Sequence, residues 1–166
     1  GKKGIKSVII ISGGFREIGD EGIKLENDCL AIASKYKMRL VGPNCVGIMD
    51  LYSGLNTTFI KGVPPKGHIG FLSQSGAICG AVVDYVMDKE IGFSCLVSLG
   101  NMADLNETDM IAHLAEDSNC KVIALYLEGL QDGRRFLDVC SKVTRKKPVV
   151  VLKVGRSNEG ARAVSS

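Results

Sequence analysis

The chain has 166 residues, of which 45% are hydrophobic and 23% are charged, with a net charge of +3; this excludes a disordered chain and suffices for one core, or for one domain and part of another. Aromatic residues make up only 5% and Trp is absent, so few side chains could stack on bases and nucleic-acid binding is not expected. The longest apolar runs are too short to cross a membrane, no secretory leader precedes them, and six widely spaced cysteines predict reduced thiols in a cytoplasmic protein.

Runs rich in Val and Ile alternate with helical periodicity, which predicts a parallel sheet flanked by helices. The first unit is a strand over residues 6–12, a helix over 19–35 and a strand over 38–41. Two parallel strands and one helix cannot bury both faces of a sheet. These strands therefore either join a second sheet or belong to a separate domain of which only part is present, and the long link that follows favours the second alternative.

Residues 49–67 show little periodicity and include a Pro-Pro pair, so we expect an irregular connector. After it the alternation resumes and predicts a doubly wound module of four strands. The predicted strands cover 68–73, 93–98, 121–126 and 148–153, and the predicted helices cover 76–90, 106–116 and 131–144.

Ser75, Gly76 and Ala77 follow the first strand of this module and stand at the start of its first predicted helix. The first turn of a helix has unpaired N–H groups and the positive end of the helix dipole, so these residues can form a cradle for a phosphoryl group. The alternative is that Ser75 simply caps the helix.

Glu128 ends another strand of the module and precedes Gly129. Ligands of doubly wound folds bind at the carboxyl ends of the strands, so a carboxylate here is expected near the cradle, where it could orient an imidazole for phosphoryl transfer. The alternative is a solvated loop acid. Asn44, Asn101 and Asp104 are residues that commonly form turns and caps.

The sequence lacks the residue patterns of several other kinds of active or binding site. His68 and His113 have no acid placed to form a dyad, and Ser75 lacks the flanking glycines of a serine-hydrolase elbow. The sequence also contains no Walker A motif, no G-x-G-x-x-G motif and no Cys/His spacing typical of a metal site.

Five segments occur together in one order: Val41 to Gly47, Ile69 to Ala77, Ser98 to Asn101 with Asp104, Leu127 to Gly129, and Lys153 to Ser157 followed by Gly160 to Ala163. Together they resemble the NDP-forming acyl-CoA synthetases, in particular the ADP-forming acetate–CoA ligases, which are related to the succinyl-CoA synthetase α subunit. The resemblance covers the whole chain.

The resemblance implies an α/β fold in which a doubly wound, parallel-sheet, flavodoxin-like module follows the last β-α-β unit of a Rossmann-like CoA-binding domain. Residues 1–48 would be that remnant, 49–67 the connector and 68–166 the flavodoxin-like domain. In relatives, the stretch that resembles 160–166 runs into a His-Thr-Gly segment with a phosphorylated histidine, which this sequence does not include. We therefore expect an inactive piece of a larger enzyme.

For that larger enzyme the resemblance implies the reversible reaction of acyl-CoA, ADP and phosphate to acid, ATP and CoA, through an acyl phosphate and a phosphohistidine. Ser75, Gly76 and Ala77 would hold the phosphoryl group, Glu128 would support the phosphohistidine, and Asn44 and Cys45 would lie near the thiol end of CoA, with Asn101 as a further candidate. ADP or ATP with Mg²⁺ would bind an ATP-grasp domain or subunit, and the enzyme would be an oligomer.

Two other functions are compatible with the same residues. The chain could be the acyl-CoA-sensing region of a protein lysine acetyltransferase fused to a GNAT domain, in which the phosphorylated histidine is replaced. It could also be a non-enzymatic flavodoxin-like module that binds an anion, although Glu128 at a strand end argues against this.

Overall fold

The structure, a computed structural model, describes residues 1–155. In this part of the chain eight strands, β1 to β8 in chain order, cover Ser7–Ile9, Arg39–Val41, Ile48–Asp50, Leu55–Asn56, Lys66–Ser73, Phe93–Ser98, Val122–Leu127 and Val149–Lys153. Four α-helices, α1 to α4, cover Asp20–Lys35, Gly76–Val86, Glu107–Glu116 and Gly133–Val143, and a short 3-10 helix, Arg16–Ile18, precedes α1. The predicted α/β class is confirmed. No helix of residues 1–155 is both long and apolar enough to cross a bilayer.

The strands form two sheets. β1 and β2 pair in parallel as a sheet of their own, and the other strands form a six-stranded sheet in the order β4-β3-β6-β5-β7-β8. The four strands predicted for the module, β5 to β8, are parallel neighbours. Because β5 lies between β6 and β7, the loops that follow these three strands meet at one edge of the sheet.

Helices cover both faces of the parallel strands. α2 buries Cys79, Val83 and Val86 against one face, whereas α3 and α4 bury side chains such as Ile111 and Phe136 against the other. Burial of one such side chain is worth about 1.5–3 kcal/mol. These two apolar layers hold the sheet in place and so fix the positions of the loops at the strand ends.

The helix starts agree with the capping residues of the sequence. The Asn106 side chain accepts hydrogen bonds from the Thr108 and Asp109 N–H groups, and Asp132 accepts one from the Arg135 N–H at 2.9 Å. The end of α2 was predicted at residue 90, whereas the helix ends at Val86.

Residues 87–90, which were predicted to continue α2, form a turn and a bend instead. They lead to a close backbone contact at the start of β5. A Cβ on Gly67 would lie 2.4 Å from the carbonyl carbon of Gly92, and the Ile69 N–H donates to the Gly92 carbonyl at 3.3 Å.

The prediction of an irregular connector over 49–67 was wrong in one respect. β3 and β4 form an antiparallel pair, and β3 adds to the edge of the large sheet antiparallel to β6. The turn between them is closed by the Asp50 carboxylate, which accepts hydrogen bonds from the Tyr52 and Ser53 N–H groups. β3 and β4 have three and two residues and lie in a segment without a clear apolar run or alternation, so the sequence did not indicate them.

Polar contacts join the small sheet to the large one. Asp104, which follows β6, forms a paired ion contact with Arg39 and accepts a hydrogen bond from the Leu40 N–H at 2.8 Å. Asp104 is therefore not the simple turn former that its sequence position suggested. The division of the chain at residues 48 and 67 remains a prediction.

Candidate functional site

The start of α2 presents open backbone N–H groups. Ser75 has an extended backbone and its hydroxyl accepts a hydrogen bond from the Ile78 N–H at 3.4 Å, which caps the helix. Within residues 1–155 the N–H groups of Gly76 and Ala77 have no hydrogen-bond acceptor. Two donors at the positive end of a helix dipole are an environment that favours a bound anion.

The predicted cradle has fewer free backbone amides than the sequence suggested. Ser73 Oγ accepts a hydrogen bond from the Ser75 N–H at 3.1 Å and donates one to the Ser75 carbonyl at 2.8 Å. The Ser75 amide is thus occupied, and Ser75 contributes its capping hydroxyl. Ser73 shapes the turn, and only Gly76 and Ala77 offer amides.

Gly76 allows a neighbouring segment to approach the helix start. A Cβ at this position would lie 2.4 Å from Cγ2 of Val46, which is closer than atoms can pack. The Val46 N–H in turn donates to Ser98 Oγ at 2.9 Å, so Val46 is tied to the end of β6. This contact brings Asn44 and Cys45 to the mouth of α2.

A cavity of about 690 Å³ joins most of the predicted site residues. Its lining includes Asn44, Cys45, Ser75, Gly76, Ala77 and Glu128. The sequence therefore placed both the helix start and the acid correctly at one edge of the sheet, and the structure places them in one cavity. Their roles stay predictions.

The Glu128 side chain lines this cavity, and its carboxyl group has a raised pKa. Burial raises the pKa of the Glu128 carboxyl, and the nearby charge of Lys153 opposes this rise. A carboxyl group with a raised pKa is a better proton donor or acceptor near neutral pH than an ordinary surface glutamate.

Cys45 and Asn44 differ in exposure. Cys45 is 3% exposed, its thiol donates to the Ile10 carbonyl at 3.4 Å, and burial raises its pKa. The thiol is thus protonated and is not an activated nucleophile. Asn44 is exposed in a left-handed backbone conformation, with φ of 54°, and its N–H donates to the Ser12 carbonyl at 2.9 Å.

Asn101, the further candidate, is not among the residues that line the cavity. Its side chain lies between the two sheets, where its oxygen accepts a hydrogen bond from Asn44 at 3.3 Å. Its nitrogen donates to the carboxylates of Glu17 at 2.6 Å and Glu26 at 3.1 Å. Asn101 therefore supports the segment that carries Asn44.

Sequence reasoning missed several residues of the cavity. Phe59, Ile60 and Lys61 come from the predicted connector, and Phe59 is 72% exposed. Gln74 was passed over although it lies between the two serines of the turn. The remaining lining residues are Ile11, Val46, Gly80 and Asp84. The end of a predicted strand indicates which loop follows it, but the sequence does not indicate which other segment packs against that loop.

Neither histidine of the chain lines the cavity. His68 Nδ1 lies 2.9 Å from the Asn119 carbonyl oxygen, and both residues belong to the opposite edge of the sheet. No group of three acidic, His or Cys side chains in residues 1–155 could hold a metal ion. The strand-end loop at 154–157 and the segment 160–166 fall wholly or partly outside the described residues.

Comparison with known proteins gives consistent matches. The family model of the "Succinyl-CoA ligase like flavodoxin domain" matches residues 66–166. The whole chain is 51% identical to the α subunit of acetate–CoA ligase (ADP-forming) II of Pyrococcus furiosus, of which it covers 36%. It is also 51% identical to 4-hydroxybutyrate–CoA ligase (ADP-forming) of Nitrosopumilus maritimus, again over the whole chain, and covers 24% of that protein.

A solved structure has the same fold. The dinucleotide-forming acetyl-coenzyme A synthetase 1 of Ca. Korarchaeum cryptofilum, in complex with phosphate and ADP, matches with a TM-score of 0.93 and 40% identity. The match covers 99% of this chain and 35% of that one. The chain thus spans between 24% and 36% of the length of these three proteins.

Proposed function

Because the chain belongs to the family of succinyl-CoA ligase-like flavodoxin domains, we propose that it is part of an ADP-forming acyl-CoA synthetase of the acetate–CoA ligase type and is inactive without the rest of that enzyme. The full-length enzyme interconverts acyl-CoA, ADP and phosphate with the free acid, ATP and CoA. The observation that carries the proposal is the single cavity that contains both the open start of α2 and Glu128.

In this proposal the Gly76 and Ala77 amides bind the oxygens of phosphate. A phosphate oxygen attacks the thioester carbon, the carbon–sulfur bond breaks, and acyl phosphate and CoA thiolate form. Oriented N–H donors stabilise the phosphoryl charge without having to reorganise. Lys61, which lines the same cavity, adds a positive charge.

Glu128 supports the next phosphoryl acceptor. We place a phosphorylated histidine beside Glu128, whose carboxylate accepts the imidazole N–H and fixes the orientation of the ring. This histidine is neither His68 nor His113, since neither lines the cavity. Asn44 and Cys45 lie across the mouth of α2, where the thiol end of CoA approaches.

ADP and Mg²⁺ belong to another part of the proposed enzyme. The described residues offer no metal-binding group, and the Pyrococcus relative is named as one subunit of its ligase. We therefore propose an ATP-grasp domain or subunit as partner, in an oligomer. All six cysteines are free thiols, which fits a reducing cytoplasmic location.

Deletion of one amide tests the proposal. Ala77→Pro removes an N–H at the second position of α2, where proline is tolerated because that N–H has no partner within the helix. We expect it to lower kcat/KM for phosphate by roughly tenfold to a hundredfold, the effect of one lost hydrogen bond to a charged group. The assay is ATP formation from acetyl-CoA, ADP and phosphate with Mg²⁺ by the intact protein, by which we mean the full-length enzyme that contains this chain, together with its ATP-grasp part.

Arg134→Pro is the matched control. Arg134 is also the second residue of its helix, follows a glycine as Ala77 does, and is exposed away from the cavity. The control should retain wild-type kcat/KM. Equal losses in both variants, or no loss in Ala77→Pro, would refute the role of the α2 amides. A sensing region or anion-binding module would bind phosphate without forming ATP.

A further inference from the structure

The Glu128-Gly129 turn is held by side chains alone. The side-chain oxygen of Gln74 accepts hydrogen bonds from the Glu128 N–H at 2.5 Å and the Gly129 N–H at 2.9 Å. The side-chain nitrogen of Gln74 donates to the Gly129 carbonyl at 2.7 Å. Lys153 donates to the Glu128 carbonyl at 2.8 Å. All four backbone polar groups of the turn therefore have a partner, and three of them use Gln74.

Gln74 is well placed to set the position of Glu128 relative to the start of α2. It directly precedes Ser75, the cap of α2, and its own N–H donates to the Tyr126 carbonyl at 3.2 Å. It is 9% exposed, so water cannot readily replace its hydrogen bonds. One buried side chain thus connects the phosphate-facing turn with the turn that carries the acid.

We propose that Gln74 is a positioning residue that holds Glu128 at the distance from the α2 amides required for phosphoryl transfer. This inference rests on the proposed function of the cavity. Gln74 acts through the Glu128 backbone, so its loss should slow the chemical step and leave acyl-CoA binding largely intact. A residue that served only general stability would not produce that division between kcat and KM.

The first test is Gln74→Met in the intact protein, a substitution that keeps the length of the side chain but removes its three hydrogen bonds to the Glu128-Gly129 turn. We expect kcat for ATP formation to fall by roughly tenfold or more, and KM for acetyl-CoA to change less than about twofold. Gln131→Met is the control, because the Gln131 side chain also donates to a backbone carbonyl, that of Met102, at 3.0 Å. It should leave both constants unchanged.

Gln74→Glu adds a readout that depends on pH. A protonated carboxyl group has an acceptor and a donor, as the amide does, whereas a carboxylate lacks the donor for the Gly129 carbonyl. Glu128 and Lys153 contact this region, and Lys61 and Asp84 line the same cavity. The ratio of variant to wild-type kcat should rise as the pH is lowered from about 8 to about 6, because more of the introduced carboxyl group is protonated.

The outcomes separate this inference from the proposed function. A wild-type kcat in Gln74→Met, an equal loss in Gln131→Met, or a pH-independent ratio for Gln74→Glu would overturn the role of Gln74. Absence of ATP formation by the wild-type full-length enzyme with its ATP-grasp part would instead overturn the proposed function. Amide hydrogen exchange at Glu128 and Gly129 tests the hydrogen bonds to Gln74 without an activity assay. Exchange at these two amides should be faster in Gln74→Met and unchanged in Gln131→Met.

Discussion

Glu128 carries an energetic cost that its neighbours only partly offset. Burial raises the pKa of its carboxyl group above the unfolded value of 4.5, despite the opposing charge of Lys153. The folded protein thus binds this proton more tightly than the unfolded chain does. The contribution of Glu128 to stability is therefore greatest below the unfolded-state pKa and declines as the pH rises through the folded-state pKa. Such a cost is expected where a residue is kept for chemistry.

Glu128→Gln removes this cost. We expect the variant to be more stable than wild type at neutral pH, and the difference to vanish at acidic pH, while ATP formation falls sharply. Thermal unfolding followed across pH measures the first effect. Glu116→Gln provides the contrast, because Lys146 lowers the pKa of the Glu116 carboxyl group. Removal of that negative charge should slightly destabilise the protein at neutral pH. A Glu128→Gln variant less stable than wild type at neutral pH would refute this account.

The sequence revealed some site residues and concealed others for a physical reason. Ser75, Gly76 and Glu128 lie in the loops or helix starts that follow strands and are residue types known to bind anions or protons, so the rule that ligands bind at strand ends identifies them. Gln74 meets Glu128 only because β5 and β7 pair with Ser73 opposite Tyr126. Lys153 reaches the same turn from β8. A strand register is a property of the folded sheet and leaves no local signal in the chain.

At the scale of the element, α2 shows two glycines with opposite roles. Gly76 has Val46 against it, whereas a Cβ on Gly80 would have no atom within 4 Å. Both glycines line the cavity. One is required for close packing of the 44–46 segment, and the other leaves open volume at a cost in helix stability.

Replacing Gly80 and Gly76 by alanine should therefore change the stability of the protein in opposite directions. Gly80→Ala should stabilise the protein by about 0.5–1 kcal/mol, because alanine favours the helix, while its methyl group narrows the cavity and lowers kcat/KM for acyl-CoA. Gly76→Ala should destabilise by about 1–3 kcal/mol through overpacking against Val46. Denaturant unfolding and the ATP assay measure both. Destabilisation by Gly80→Ala would show that the space beside α2 is not open.

Elements that lie in a clear apolar run or a helical repeat were predictable, even the three-residue strands β1 and β2, whereas β3 and β4 lie in a segment without such a pattern. The predicted strand over 93–98 coincides with β6, and the predicted helix over 19–35 begins one residue before α1. β3 and β4 were missed, and with them the fact that the connector supplies Phe59 to Lys61 to the cavity. Their pairing depends on the edge of β6, which only the folded sheet offers.

At the scale of the whole molecule, Asn101 forms a second polar link, beside that of Asp104, between the part of the chain that contains the small sheet and the loop after β6 of the large sheet. Its nitrogen donates to Glu17 and to the buried Glu26, which also pairs with Arg16. An amide is required here because it can donate to carboxylates. The orientation of the 44–46 segment, and so the mouth of the cavity, depends on this link.

Asn101→Asp should weaken the link by about 1–3 kcal/mol, since it replaces a donor by a third carboxylate beside two others. Hydrogen exchange should accelerate in β1, β2 and α1 and remain slow in β5 to β7. Asn56→Asp is the control, because the Asn56 side chain only accepts hydrogen bonds, from Thr58, and aspartate retains that ability. Uniform acceleration throughout the chain would show that Asn101 does not act at the contact between the sheets.

The central claim is that the Gly76 and Ala77 amides bind phosphate beside Glu128. The most direct measurement is an NMR titration of the isotope-labelled intact protein with inorganic phosphate. The account predicts saturable shifts that are largest at the Gly76 and Ala77 N–H groups, abolished by Ala77→Pro and retained in Arg134→Pro. Shifts confined to other residues, or saturable binding that Ala77→Pro leaves intact, would contradict it.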